Sequence, residues 1–250
     1  MKLDQLVNFL NETLRVKEIS DDSLNGLQVE NSGTVNKVAL TVDVSLAAIE
    51  KAKIAQADLL LVHHGLFWGK PVPLTGVMYP RIQKLIQSDM ALYAVHLPLD
   101  LHAEFGNNAQ VQNVLDWPVT GEFGEYHGTI IGREIRFEKA KPRDEIVQTI
   151  REKLKCDPVV WAFGPEQIQY VGYVSGGAVE MLEQAIATGM DTYITGEPKH
   201  SFYWTAKEAS VNVIFAGHYA TETLGVKAVG HLIHEKFGLE TVFIDLPTGH

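Results

Sequence analysis

Three short apolar runs in this chain each break off at a residue able to bind a cation, and no other feature constrains the fold as tightly. Leu59-Leu60-Leu61-Val62 runs into His63-His64-Gly65, Ala91-Leu92-Tyr93-Ala94-Val95 into His96, and Phe215-Ala216-Gly217 into His218. Each run has the length of a strand, and helical patterns lie between such runs. Strands alternating with helices at this pitch indicate βαβ units and a largely parallel sheet. The carboxyl ends of such strands are where α/β folds place their ligand-binding chemistry.

The rest of the chain follows the same grammar. Leu3, Leu6, Val7, Leu10 and Leu14, spaced by three and four, mark one face of a helix over 3–14. Asp21 to Val29 reads as a turn-rich connection, Val38–Asp43 as a buried strand, and Ser45 as the N-cap of a helix reaching Ile54. A Gly- and Pro-rich loop from Gly65 to Pro73 leads to a helix near 79–87. Strand 171–175, helix 178–187 and strand 191–195 then repeat the pattern. A shift of 133 positions lays Val38 on Val171, Glu50 on Glu183, Ala52 on Ala185 and Asp58 on Asp191. It also lays His63-His64 on Gly196-Glu197, and the stretch from Ala94 through His96 to Asp100 resembles Phe215 through His218 to Glu222. An ancestral duplication explains this, as does the periodicity that all βαβ units share. Residues 128–137 alternate partially and read as edge strands, 144–155 as an amphipathic helix, and 159–164 as a strand. The expected fold is α/β, with two related α/β domains whose mixed, largely parallel sheets are flanked by helices. One domain would comprise 1–125 plus 216–250 and the other 126–215, with the metal site at their interface, a favoured place for small-molecule sites.

The composition narrows the partners. Lys plus Arg number 21 against 31 Asp plus Glu, a net charge of −10 over 250 residues with no local basic patch. That balance argues against binding a phosphate backbone. Cys156 is the single cysteine, which excludes an intrachain disulfide and a cysteine-rich zinc site. The N-terminus reads as an amphipathic helix start rather than a signal core, and no apolar run approaches the roughly 20 residues that span a bilayer. A cytoplasmic location with no membrane partner is expected.

Imidazole and carboxylate donors suit divalent zinc, iron, manganese or nickel. His63 and His64 are adjacent, so a regular strand would point them to opposite faces, whereas a turn at Gly65 aims both rings into one cleft. Pro98 makes the stretch between His96 and Asp100 a loop rather than a helix. His218 and Glu222 stand at i and i+4 on one helical face. The set His63, His64, Asp100, His218 and Glu222 matches the ligand requirement of two metals, and two-metal sites usually activate water for hydrolysis. His96 is the candidate for proton transfer, with Glu197 as a second candidate or as an orienting group. A lone strand-end histidine is more often a hydrogen-bonded core residue than a ligand; three such groupings at separate strand ends carry the metal reading. His102, His127, His200, His231, His234 and His250 lack that context. Ser175-Gly176-Gly177 reads as a tight turn in preference to an anion site, and Cys156 as non-catalytic. Trp68 is either a stacking surface for a base or ring, or a loop anchor.

Taken in order, Asn25-Gly26-Leu27-Gln28-Val29, Val62-His63-His64-Gly65, His96-xxx-Asp100, Thr195-Gly196-Glu197 and Gly217-His218-xxx-Glu222 resemble the Nif-three-like family, commonly labelled GTP cyclohydrolase I type 2 homologues. The resemblance covers essentially the whole chain, in the short form of bacterial members without an inserted domain. It implies a two-domain α/β protein with a dinuclear centre whose ligands map to His63, His64, Asp100, His218 and Glu222. It further implies a ring-shaped homohexamer with the metal sites facing an internal cavity. Leu97-Pro98-Leu99 replaces the threonine or asparagine that members often carry in the third motif, which touches substrate contacts but not the Asp. The label implies hydrolytic opening of the guanine imidazole ring of GTP with loss of formate, although no Arg or Lys cluster awaits a triphosphate. The leading expectation is a metal-dependent hydrolase of a small substrate. The alternatives are a non-catalytic metal-binding ring scaffold for a protein partner and a ring that handles single-stranded nucleic acid.

Overall fold

The structure is a computed structural model that describes residues 1–249, so His250 lies outside the described residues. In chain order the elements are α1 (Leu3–Thr13), β1 (Gly26–Val29), β2 (Lys37–Asp43), α2 (Leu46–Ile54), β3 (Leu59–His64), α3 (Met78–Gln87), β4 (Ala91–Ala94) and α4 (Leu97–Leu101). There follow α5 (Val111–Leu115), β5 (Val119–Tyr126), β6 (Thr129–Pro142), α6 (Arg143–Leu154), β7 (Val159–Trp161), β8 (Gln167–Tyr173) and α7 (Leu182–Ala187). The chain closes with β9 (Thr192–Thr195), α8 (Tyr203–Glu208), β10 (Asn212–Phe215), α9 (His218–Phe237) and β11 (Glu240–Phe243). Two compact units result. One comprises Met1–Phe105 with Gly225–Leu246, the other Gly106–Leu224 with the C-terminal tail.

The first unit carries a five-stranded sheet in the order β1-β4-β3-β2-β11. Strands β4, β3, β2 and β11 run parallel, and β1 joins antiparallel at the edge. The central strands are apolar and buried on both sides, as a parallel sheet between helices requires. On one face Leu40, Leu59, Leu61 and Tyr93 pack with α1 and with Val226, Val229 and Ile233 of α9. On the other, Leu60, Val62 and Leu92 pack with Ile49 of α2 and Leu85 of α3. The spacing of Leu3, Leu6, Val7 and Leu10 does bury one face of α1, and Ser45 caps α2, its side chain accepting from the Ala48 N–H at 3.1 Å.

The second unit carries a six-stranded sheet in the order β5-β6-β8-β9-β10-β7. Strands β8, β9 and β10 are parallel, and β6 and β7 flank them antiparallel. The internal similarity read from the sequence extends to strand register. Val38 pairs with Leu59 in the first unit and Val171 with Thr192 in the second, each pair being the other shifted by 133 positions. Both sheets are mixed and flanked by helices, the α/β architecture expected.

Three local expectations change. Residues 26–29, expected within a turn-rich connection, form the edge strand β1, whose half-buried side chains suit a position paired on one side only, with β4. The stretch 97–101, expected as a loop because of Pro98, is the short helix α4. Proline sits in its first turn, where the missing N–H has no partner to lose. The unit boundary falls after Phe105 rather than at 125, and residues 216–224 group with the second unit. Val111, Leu115 and Trp117, together with Ala216, Ala220 and Leu224, are part of that unit's core.

Leu61 is fully buried at the centre of β3. Leu61→Ala is expected to lower stability by about 2–5 kcal/mol, the range for large-to-small core changes, measured as a shift in the urea unfolding midpoint with an unchanged slope.

Candidate metal centre

In the first unit the pairing of parallel strands delivers ligating residues to one sheet edge. Asp43 at the end of β2 is in register with His64 at the end of β3, and Val62 with Ala94 of β4. His63, His64 and His96 therefore emerge side by side. The ring centroids of His63 and His64 lie 4.7 Å apart, and His96 lies 5.1 Å from the first and 5.6 Å from the second. One nitrogen from each of the three rings falls within 4.8 Å of the other two. His63 and His64 converge although both belong to the strand. Gly65 is not the turn that aims them; it is needed because a Cβ there would collide with Gln28 and Ala94.

Each ring is held through Nδ1. His63 Nδ1 donates to the Val95 carbonyl at 2.9 Å, His64 Nδ1 to Asp43 at 2.8 Å, and His96 Nδ1 to Asp21 at 3.0 Å. A carbonyl oxygen only accepts, so His63 must carry a proton on Nδ1, and the neutral ring has its lone pair on Nε2. That Nε2 faces the Asp100 carboxylate at 3.5 Å. Helix α4 sets Asp100 there, its amide donating to the His96 carbonyl at 3.1 Å.

The second unit builds a matching arrangement at the ends of β8, β9 and β10. His218, the first residue of α9, has Nδ1 3.2 Å from Glu197 and Nε2 3.1 Å from Glu222. Gly176 lies against this pair, and a Cβ at that position would run into the Glu222 carboxylate. A Cβ at Gly177 would stand 2.9 Å from Glu197 Oε1. The two glycines thus make room for carboxylates. The neighbouring amides are taken up by the protein, Ser175 N–H by Asn108 at 2.8 Å and Gly176 N–H by Thr221 Oγ1 at 3.0 Å. This is the tight turn expected, not an anion cradle.

The chemistry of the donors fits a divalent cation. A neutral imidazole bonded at Nδ1 to an acceptor presents a lone pair at Nε2, and in both units that nitrogen faces a carboxylate. Two acceptors at such distances attract only with a proton or a metal ion between them. In the absence of metal His218 meets the demand by keeping a proton. Burial lowers its pKa, but the hydrogen bonds and charges of Glu222 and Glu197 outweigh this and raise it to about 9. Asp21 shows the converse. Burial raises its pKa, yet the bonds from His96, Asn25 and Ser23 bring the carboxyl down to about 2.

The sequence missed Asp21, Asn25 and Asp43 as orienting groups, since their partners lie 75, 71 and 21 residues away and no local spacing marks them. Cys156 is an inert thiol; burial and Asp157 push it up to about 11. Trp68 is both a loop anchor and a neighbour of the site. Its Nε1 donates to the Gly65 carbonyl at 3.1 Å, and its ring stands 4.9 Å from His96. His102 is structural, bonding the Thr13 carbonyl and accepting from the Phe105 amide.

A family model described as Duf34/NIF3 (NGG1p interacting factor 3) matches residues 1–249. The chain is 46% identical over 250 residues to a GTP cyclohydrolase 1 type 2 homolog of Pyrococcus horikoshii, covering all of both chains. Among solved structures, TTHA1606 from Thermus thermophilus superimposes with a TM-score of 0.91 at 38% identity. The protein ybgI, described as of unknown function, does so with 0.93 at 35% identity. Both comparisons cover the full length of each chain.

The metal-free protein is expected to keep His218 protonated through neutral pH, read by NMR titration of its ring. Its pKa lies above the unfolded value, so the stability it contributes is full below about pH 6.5 and fades as pH rises through about 9. Glu222→Gln should bring the titration down toward the ordinary histidine value; an unchanged titration in that variant would remove the Glu222 contact from the account.

Proposed function

The chain belongs to the Duf34/NIF3 family, and on that footing we propose that it is a dinuclear metal-binding protein acting as a metal-dependent hydrolase of a small, nucleotide-like substrate. The observation that carries this reading is the pairing of an Nδ1-anchored histidine with a carboxylate in each unit, His63 with Asp100 and His218 with Glu222. His63, His64, Asp100, His218 and Glu222 are the proposed ligands of two divalent ions of zinc, iron, manganese or nickel. A carboxylate can serve two cations at once, whereas an imidazole nitrogen serves one, which suits a set of three rings and two acids. When bound, such ions supply a Lewis acid and a water acidic enough to ionise near neutral pH.

The chain's own residues supply the rest. His96 is the proposed proton-transfer residue, its ring beside His63 and His64 but anchored independently. Glu197 holds His218 through Nδ1 and fixes which nitrogen faces Glu222. The curated relatives' name gives GTP cyclohydrolase chemistry as the specific version of this activity. The net charge of −10 opposes entry of a triphosphate without accompanying cations. Assembly as a homohexamer and a cytoplasmic setting complete the reading, both on the strength of the family resemblance. Among the described residues no helix is long and apolar enough to cross a membrane.

Elemental mass spectrometry of protein purified without chelators or affinity tags tests the proposal. Roughly two metal equivalents per chain are expected, as for a two-metal site, with loss in His63→Ala and Glu222→Ala. Gly176→Ala should reduce the content as well, because its Cβ displaces the Glu222 carboxylate and its backbone φ of +67° is strained for alanine. No tightly bound metal after reconstitution would sink the hydrolase and leave a scaffold for a protein or single-stranded nucleic acid as the better reading.

A further inference from the structure

The loop that follows β3 carries an indole whose placement the fold alone does not require. Leu66 is buried in the core with Leu60, Ile49 and Leu85, and Phe67 packs against the same cluster, so these two residues seat the loop. Trp68 joins none of the core clusters among the described residues and remains 38% exposed. Its ring stands instead at the first donor set, the centroids 4.9 Å from His96 and 5.9 Å from His64. Several bonds fix the plane of that ring. Nε1 donates to the Gly65 carbonyl at 3.1 Å. On the main chain Ser23 bridges to Trp68, the Leu24 amide donates to the Phe67 carbonyl at 2.9 Å, and the Gly69 amide donates to the Asp22 carbonyl.

We propose that Trp68 is a specificity-determining residue that grips a flat, uncharged heteroaromatic ring, the base of a nucleoside, by stacking. An indole N–H can only donate, and here it is already engaged by Gly65. What the side chain offers a ligand is therefore its apolar π-face, and every base presents a matching one. Because side chain and main chain are both held, little rotamer freedom is lost when a ring lands there. The surrounding charge selects against anions. Asp21, Asp43 and Asp100 border the three imidazoles, and the cation nearest to Trp68 in the chain, Lys70, is exposed. Stacked rings lie with their centroids about 4.5–7 Å apart. The same range separates the indole from His96 and His64, so a ring held on Trp68 is a neighbour of the donor set. The inference deepens the proposed function and rests on it for the reaction that would follow; the grip on the ring needs neither metal nor turnover.

Two substitutions separate stacking from loop anchorage. Trp68→Leu keeps an apolar side chain but has no π-face, and it should weaken nucleoside binding by roughly 5- to 150-fold, the worth of one base–aromatic stack. Trp68→Phe loses the bond from Nε1 to Gly65 but keeps a flat ring, and it should retain most of the affinity. An indole that mattered only as an anchor through Nε1 would make the two variants equally poor.

The test is equilibrium dialysis of guanosine, adenosine, cytidine and uridine against the full chain, both as purified and after chelation, with ribose as the control that lacks a base. The wild type should bind at least one nucleoside and not ribose, and Trp68→Phe should bind it more tightly than Trp68→Leu. Binding of none of the four, or a loss that is absent or equal in the two variants, would overturn the proposal. Proton NMR of the wild type keeps the question open to test if a variant fails to fold. Bound nucleoside should shift the Trp68 ring protons, assigned by their contacts to His96, and leave Nε1–H on its carbonyl. Unmoved Trp68 ring signals at saturating nucleoside would overturn the proposal equally. Metal content of the same samples separates the two ideas. Trp68-dependent binding in a chain that holds no metal supports the grip and defeats only the proposed function. A chain that holds metal but binds no nucleoside through Trp68 does the reverse.

Discussion

A histidine nitrogen held against a carboxylate needs a proton or a metal ion between them, and each unit of this protein contains that contact at the mouth of its sheet. The contact is enforced rather than incidental. His63 cannot turn its protonated nitrogen toward Asp100 without abandoning the Val95 carbonyl, and His218 is held in the same sense between Glu197 and Glu222. Much of the surrounding construction exists to keep these groups in place. Parallel strands in register bring the residues to one edge, helix α4 carries Asp100, and glycines at 176 and 177 leave space for the acids. A proton satisfies the His218 contact near neutral pH, so any metal ion taken up there would have to displace that proton.

What the sequence revealed and what it concealed divide along a physical line. Strand-end histidines are legible because a parallel strand is a continuous apolar run, and a polar residue that ends it marks the sheet's edge. His218 and Glu222 are legible because i and i+4 share a helix face. The edge strand β1 is hidden, since four residues with half-buried side chains give no periodicity to read. Helix α4 defies the sequence reading because the rule against proline in helices does not reach the first turn. Asp21, Asn25 and Asp43 are hidden for a deeper reason: an orienting contact links residues far apart in the chain, and only the assembled sheet brings them together.

The anchors also differ in strength, and the difference bears on how the first donor set behaves. His63 is fully buried and tied to a backbone carbonyl, so its ring moves only if the end of β4 moves. His96 is tied to a buried carboxylate that carries donors from the residue following it. His64 is tied to Asp43, whose side chain is 44% exposed. Water screens that last bond and competes for it, so it contributes little rigidity. His64 is therefore the ring of the three with most freedom to adjust. His63 and His96 hold the fixed geometry against which it adjusts.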